Sequence, residues 1–287
     1  MGLAARLSTW GTLIAFSHSV FALPFAIMMM VVVSRTHPLT ISVFVLLIVC
    51  VVAARTAAMG FNRFIDRAVD TRNPRTSSRE LPRGAVSERE VLLLTVGSSL
   101  VFVAAAGLIG RHCLYLSPVV LLLILGYSLL KRYTSACHFV LGLALACAPG
   151  GVWYAMTGEW SLRPVALMGA VLAWVAGFDI LYSCQDEEFD RHEGLQSIPA
   201  LLGVSGALRV AAVLHVVSVA ALILFGRLFS LGTAYWFGLA VFAALLASQH
   251  IAVWRRGVGC IDRVFFTRNG LASIMLCVSV LIDSVTR

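Results

Sequence analysis

The sequence predicts an all-α membrane protein, a polytopic bundle of about nine transmembrane helices. Three observations carry this. Hydrophobic residues make up 60% of the 287 and charged residues 13%, with a mean hydropathy of +0.91, a composition that would leave a soluble domain with apolar surface it could not bury. Apolar runs recur at the length of about 20 residues that a helix needs to cross roughly 30 Å of hydrocarbon. The basic residues gather on alternate connections, as the positive-inside rule demands of a membrane protein.

Nine runs follow in order. The first, Gly11 to Val33, comes after a lone Arg6 and resembles a signal sequence only in position. It is too long and lacks a small-residue cleavage site, so it reads as a retained helix. Met1-Gly2 is no myristoylation signal, because Arg6 stands where Ser or Thr is needed. The others are Thr40 to Gly60, Val91 to Gly110, Leu114 to Leu130, Ala136 to Met156, Pro164 to Tyr182, Leu208 to Phe225, Leu231 to Val253 and Asn269 to Ile282. Most connections are short, which suits neighbouring antiparallel helices and one domain spanning 1–287. Three are longer, Phe61 to Glu90, Ser183 to Ala207 and Trp254 to Arg268, and all fall on the same side. Sites commonly sit on such connections.

With the N-terminus inside, 17 of the 22 basic residues lie on inner segments, and the outer ones hold only Arg35, Arg111, Arg163, Arg227 and Arg287. The net charge of +8 thus follows the membrane and is no argument for nucleic-acid binding. The expectation is a bacterial inner membrane, with the N-terminus and the active site cytoplasmic and the C-terminus outside. Seven cysteines without CxxC spacing read as small buried thiols. Of 14 acidic residues, only Glu159 and Asp283 fall outside. Topology requires Lys and Arg but no carboxylates, so the inner acids need another explanation.

Two acidic motifs supply it. Asn62, Asp66 and Asp70 stand at i, i+4 and i+8, and each four-residue step turns a helix by about 40°, so the three share one face. Two carboxylates one turn apart repel unless something cationic intervenes. After the sixth run, Asp186 and Asp190 repeat the spacing. Asp179 lies seven and eleven residues before them, which on an unbroken helix puts it within about 20° of their face. Hard divalent cations take oxygen ligands, and Mg²⁺ commonly uses one or two carboxylates plus water and substrate phosphate. Lys131 and the loop arginines would complement the remaining phosphate oxygens. A solvated helix end whose acids pair with nearby arginines explains one such motif; it explains two, both on the basic side, less well.

These residues resemble the UbiA superfamily of intramembrane prenyltransferases over nearly the whole chain. Asn62, Asp66 and Asp70 match its first motif, and Asp186 and Asp190 its second, with Asp179 and Tyr182 also matching. Arg75-Thr76 with Arg79-Glu80-Leu81-Pro82 resembles the family's RTxxRxLP loop, and Tyr127 to Thr134, with Lys131 and Arg132, its YxxxKRxT stretch. Arg55 matches a family arginine. His18 to Phe25, Gly194 to Pro199 and Asn269-Gly270 are similar to the 4-hydroxybenzoate polyprenyltransferase-like branch. Two positions depart: Arg63, where many members carry Asp or Gln, and Gln196, where the 4-hydroxybenzoate enzymes carry Lys.

The resemblance implies transfer of a polyprenyl group from a polyprenyl diphosphate to an aromatic carboxylic acid acceptor like 4-hydroxybenzoate, in ubiquinone or menaquinone synthesis, within the lipid bilayer and without nucleic acid. It implies Mg²⁺ on Asp66, Asp70, Asp186 and Asp190 with Asn62 in support, and diphosphate on Arg75, Arg79, Lys131 and Arg132. Arg55 is then a candidate for the acceptor carboxylate or for the phosphates, with Asp179 and Tyr182 orienting the ring; His18, a polar residue in an apolar helix, reads as an acceptor contact or as a hydrogen-bonded structural histidine. Phe21, Phe25 and Met28 to Met30 would line a prenyl channel or fill the core. Prenylation of a haem or of a glycerol-phosphate lipid uses the same chemistry. A secondary transporter is the rival from another class, and it predicts carboxylates near the bilayer midplane.

Overall fold

The computed structural model describes residues 10–13 and 21–286, apart from the side chains of 262–266. Among the described residues, eight helices are long and apolar enough to cross a membrane, and Leu23–Ser34 is a shorter apolar helix. The run expected from Gly11 to Val33 falls partly on residues outside the description. The chain packs as two compact units, residues 41–129 with the N-terminal segment, and 20–40 with 130–287.

In the first unit, α2 (Ile41–Arg72) packs along α3 (Glu88–Ile109), and α4 (Arg111–Leu130) carries Pro118 inside it. Helix α2 does not stop at Gly60, where its apolar run ends, but continues as one rod to Arg72. Its 32 residues span about 48 Å at 1.5 Å each, well beyond the hydrocarbon thickness. The start of α3 is fixed by a full capping box: the Glu90 N–H donates to Ser87 Oγ at 3.3 Å, and the Ser87 N–H donates to Glu90 Oε2 at 2.9 Å. Arg67 on α2 reaches Glu88 at 2.9 Å and pins that end.

The second unit holds α1 (Leu23–Ser34), α5 (Cys137–Thr157), α6 (Val165–Ser183), α7 (Glu187–His192), α8 (Ile198–Leu228), α9 (Thr233–Arg256) and α10 (Ile261–Val285). Helix α6 is apolar on every side and is accordingly its buried centre, against α5 and α8. With lipid as apolar as any side chain, close backbone approach is what favours helix association. Gly142 of α5 lies directly under the Leu172 carbonyl of α6, where any Cβ would strike backbone that cannot yield. Phe21 meets Trp174 edge-on and Phe25 packs against it at a tilt, and Phe25 with Met28, Met29 and Met30 is fully buried. These residues build the core of this unit rather than line a channel.

Helix α8 starts ten residues before the expected Leu208, at Ile198. Ser197 caps it by accepting from Ala200 N at 3.2 Å, and Gly203 bends it with a φ of 67°. Helix α10 also begins early, which places Asn269 inside it. There Asn269 Oδ1 accepts from Trp174 Nε1 at 3.0 Å and Gln249 Nε2 at 3.1 Å, and its Nδ2 donates to Gln249 Oε1 at 3.0 Å. This buried network ties α6, α9 and α10. Beyond α1, Arg35 reaches Asp283 near the end of α10 at 3.3 Å, so these two helices finish side by side. Exposed Tyr133 before α5 and exposed Trp160 after it mark the two ends of a span with interfacial aromatics.

Candidate active site

The first motif occupies the last turns of α2, where the helix continues past its apolar stretch. The predicted face is real: Asn62 Nδ2 donates to Asp66 Oδ2 at 3.1 Å. Asp70 is buried, and Arg79 Nη1 donates to its two oxygens at 2.7 and 2.8 Å. The chain between them doubles back in consecutive turns, fastened by Thr76 Oγ1 donating to the Asp70 carbonyl at 3.1 Å and by the Arg75 N–H donating to Asn73 Oδ1 at 2.9 Å. Arg79, expected on diphosphate, thus holds an expected metal ligand. Arg55, two turns before Asn62, has a buried Nε with no hydrogen-bond partner among the described residues. Arg63 Nε donates to the Leu13 carbonyl at 3.3 Å, so the residue that departs from the family pattern fastens the N-terminal segment.

The second motif is not one helix. A 3₁₀ turn, Cys184–Asp186, separates α6 from the short α7. Cys184 Sγ donates to the Ile180 carbonyl at 3.3 Å, and the Cys184 N–H is shared between the Leu181 and Tyr182 carbonyls, which tightens the chain. Residues in 3₁₀ geometry turn about 120° each instead of 100°, so three of them add roughly 60°. That offset puts Asp179 about 40–80° from Asp186 and Asp190, no wider than the spread of the first motif, and its Oδ2 lies 2.7 Å from His138 Nδ1 of α5.

Asp186 and Asp190 are both buried, Asp190 completely. Lys131 Nζ stands 2.9 Å from Asp190 Oδ1, yet among the described residues neither carboxylate oxygen receives a hydrogen bond of good geometry. The distance shows charge pairing and the alignment shows unused lone pairs. Both statements hold together. The segment after α7 wraps back to fix Lys131: the Gln196 N–H donates to the Lys131 carbonyl at 2.7 Å, and Cys137 Sγ donates to the Gln196 carbonyl at 3.5 Å. Tyr182, Arg132, Arg75 and Asp66 are half-buried, and His18 lies outside the described residues.

Among the described residues no three His, Cys, Asp or Glu side chains are grouped as a complete metal cage. The donors that are present nevertheless fit a hard cation. They are oxygens throughout, and a wholly buried carboxylate without a hydrogen-bond donor is what an oxygen-seeking cation satisfies. A cation bound by one or two carboxylates completes its shell with water and phosphate. His138 is the residue that sequence reasoning passed over. The available signal was a polar side chain opening an apolar helix seven residues after Lys131.

The family model described as the UbiA prenyltransferase family matches residues 22–271. The chain belongs to the UbiA prenyltransferase family. It is therefore a prenyltransferase and an integral membrane protein, which displaces the transporter reading. The 4-hydroxybenzoate octaprenyltransferase of Vibrio cholerae is 29% identical over 242 residues, 84% of each chain. The apo structure of a UbiA homolog from Aeropyrum pernix K1 superposes with a TM-score of 0.85 at 35% identity, covering 93% of this chain and 98% of that one. A UbiA homolog from Archaeoglobus fulgidus, solved bound to GPP and Mg²⁺, gives a TM-score of 0.69 at 17% identity over 96% and 99% of the two chains, a likeness of fold.

Proposed function

We propose that this UbiA-family chain, acting over 1–287 as one prenyltransferase domain, transfers a polyprenyl group from a polyprenyl diphosphate to a ring carbon of a 4-hydroxybenzoate-like acceptor. The reaction serves ubiquinone or menaquinone synthesis at a bacterial cytoplasmic membrane, with the N-terminus and active site cytoplasmic and the C-terminus outside. Asp66, Asp70, Asp186 and Asp190 hold Mg²⁺, with Asn62 orienting Asp66. The observation that carries this reading is Asp190, a wholly buried carboxylate paired at 2.9 Å with Lys131, a residue of the diphosphate set.

Breaking the allylic C–O bond places positive charge on the prenyl carbon and negative charge on the leaving diphosphate. Mg²⁺, when bound, neutralises that leaving group. Arg75, Arg79, Lys131 and Arg132 take the phosphate oxygens, as fixed cations that need no reorganisation when charge develops. Arg55, whose Nε has no hydrogen-bond partner among the described residues, receives the acceptor carboxylate. Asp179 and Tyr182 orient the acceptor ring so that its carbon beside the phenol oxygen bonds the prenyl carbon, and that ring carbon then gives up its proton to the released diphosphate or to water as the ring regains aromaticity. The membrane location suits the donor, whose tail is as insoluble as a lipid chain. The names of the bacterial relatives and the GPP and Mg²⁺ bound by the Archaeoglobus fulgidus homolog support the substrate classes.

The test is product formation by purified protein in lipid nanodiscs, with labelled polyprenyl diphosphate and Mg²⁺, running 4-hydroxybenzoate beside a hydroxynaphthoate. Magnesium-dependent prenylation that is lost in Asp66→Ala and Asp186→Ala is expected. Absence of any prenylated product, or product indifferent to chelation and to both substitutions, refutes the proposal.

A further inference from the structure

We infer that His138 is a positioning residue for the acceptor: it fixes Asp179 as an oriented carboxylate, and a helix start fixes His138 in turn. The inference rests on the reading that Asp179 faces the acceptor, and it goes beyond that reading by assigning a residue that neither motif contains.

The geometry decides which ring nitrogen carries the proton. The Ile198 N–H lies 3.2 Å from His138 Nε2. A backbone amide can only donate, so Nε2 accepts, and the ring proton sits on Nδ1, pointing at Asp179 Oδ2 2.7 Å away. The Ile198 N–H belongs to the first turn of α8, where amides have no partner inside the helix. Ser197 Oγ satisfies Ala200, Pro199 has no N–H to satisfy, and His138 takes the remaining need. The imidazole is therefore held from both sides, and it is buried to 3% while the Asp179 side chain is 29% open. A carboxylate anchored through one oxygen keeps lone pairs on the other for a ligand hydroxyl. A phenol O–H donating there would turn its ring into the prenyl carbon's path, with the charge on oxygen raising electron density at the adjacent carbon.

The same short segment serves both substrates. Gln196 bonds the Lys131 backbone, and Ile198, two residues on, bonds His138. Residues 194–198 thus brace the lysine assigned to diphosphate and the dyad assigned to the acceptor, through main-chain groups. This accounts for the chain tolerating Gln196 where related enzymes carry Lys: the position works here through its amide.

Two amide substitutions separate positioning from mere anchoring. In His138→Asn, the amide nitrogen overlays Nδ1 and donates to Asp179 but does not reach Ile198. In His138→Gln, the amide oxygen overlays Nε2 and accepts from Ile198 but leaves Asp179 without its donor. Positioning predicts that Asn stays within about threefold of wild type in acceptor kcat/KM, whereas Gln loses about 10–100-fold, the range of one hydrogen bond to a charged group. The KM for prenyl diphosphate should move less than about twofold in either. The reverse order, Gln active and Asn inactive, shows that His138 only anchors α8 and overturns the inference. So does an equal loss in both, or a loss confined to prenyl diphosphate. Where either variant proves unstable in a thermal melt, a cycle with Asp179→Asn decides: His138→Gln should add nothing further in the Asp179→Asn background, and additive losses overturn the role. A wild-type chain that prenylates neither acceptor refutes the functional proposal itself; an active wild type with an unaffected His138→Gln refutes only this step.

Discussion

Replacing Arg79 with methionine should strengthen binding of the metal alone and weaken binding of the diphosphate. Asp70 has 8% of its side chain open, and one guanidinium nitrogen spans its two oxygens at 2.7 and 2.8 Å. Mg²⁺ can reach that carboxylate only by displacing the arginine. A hydrogen bond to a charged group contributes about 1.5–3 kcal/mol, so removing the competitor should tighten Mg²⁺ roughly 10–100-fold in the absence of substrate. The isolated carboxylate should also make the variant less stable, and Mg²⁺ should restore it. Each tenfold gain in affinity adds about 1.4 kcal/mol of metal-dependent stabilisation at a given free concentration. Calorimetric titration with Mg²⁺, then with inorganic diphosphate at saturating Mg²⁺, reads both sides of the exchange, and melts across a magnesium series read the third. An Arg79→Met chain whose Mg²⁺ affinity is unchanged or reduced would show that Asp70 is a structural partner of Arg79 and no metal ligand.

Lys131→Met should behave in the same sense at Asp190, with a larger stability loss because that carboxylate has no exposure; melts with and without Mg²⁺ check it. Arg35→Met removes the guanidinium 3.3 Å from the 2%-exposed Asp283 carboxylate, and should cost about 3 kcal/mol, the low end for a broken buried pair given that Arg35 is partly open. Adding Asp283→Asn should recover most of that loss, and denaturant melts of the pair decide. Gly142→Val should abolish stable expression, since its side chain meets the Leu172 carbonyl, whereas Gly126→Val, with open space around it, should express normally. Asn269→Leu should cost about 2–4 kcal/mol in stability, stranding the Trp174 and Gln249 donors without changing either substrate KM.

Hydropathy marks the membrane and not the helix, which explains what was legible in the sequence and what was not. The run ending at Gly60 stops where lipid stops, but backbone hydrogen bonding needs no apolar side chains, so α2 runs on to Arg72. The i, i+4, i+8 reading of Asn62, Asp66 and Asp70 was correct because that extension is regular. The matching argument for Asp179 assumed a constant turn, and the 3₁₀ turn Cys184–Asp186, where shared carbonyls tighten the chain, adds an offset of roughly 60° to it. No periodicity signals such a break. His138 was illegible for a different reason. Its partner is 41 residues away and its second contact 60, and spacing within one helix is silent on pairs made between helices. Arg79 and Lys131 were recognised as cations for phosphate, but their present partners are set by a doubled-back turn and a helix break.

Those partners also answer the electrostatic question that the motifs raise. Carboxylates stacked one turn apart destabilise a helix, and burial makes an unpaired charge costlier still. In the first unit Asn62 donates to Asp66 and Arg79 to Asp70; in the second Lys131 stands against Asp190. In each unit, then, a cation assigned to diphosphate neutralises a carboxylate assigned to the metal. Bringing Mg²⁺ and diphosphate together exchanges partners without stranding a charge: carboxylates pass to the metal, and arginine and lysine pass to phosphate. Bringing either alone leaves one set unpaired in surroundings of low polarity. Metal and diphosphate should therefore bind cooperatively, with each tightening the other by about 5–150-fold, the usual span of coupling between two ligands. Reciprocity makes the test strict. The factor by which saturating diphosphate improves Mg²⁺ affinity must equal the factor by which saturating Mg²⁺ improves diphosphate affinity, both measured net of their association in free solution. Arg79→Met must shrink both factors together. Independent binding of the two ligands to the wild-type chain would show that these ion pairs remain closed throughout the reaction and that the phosphate oxygens are held by other residues.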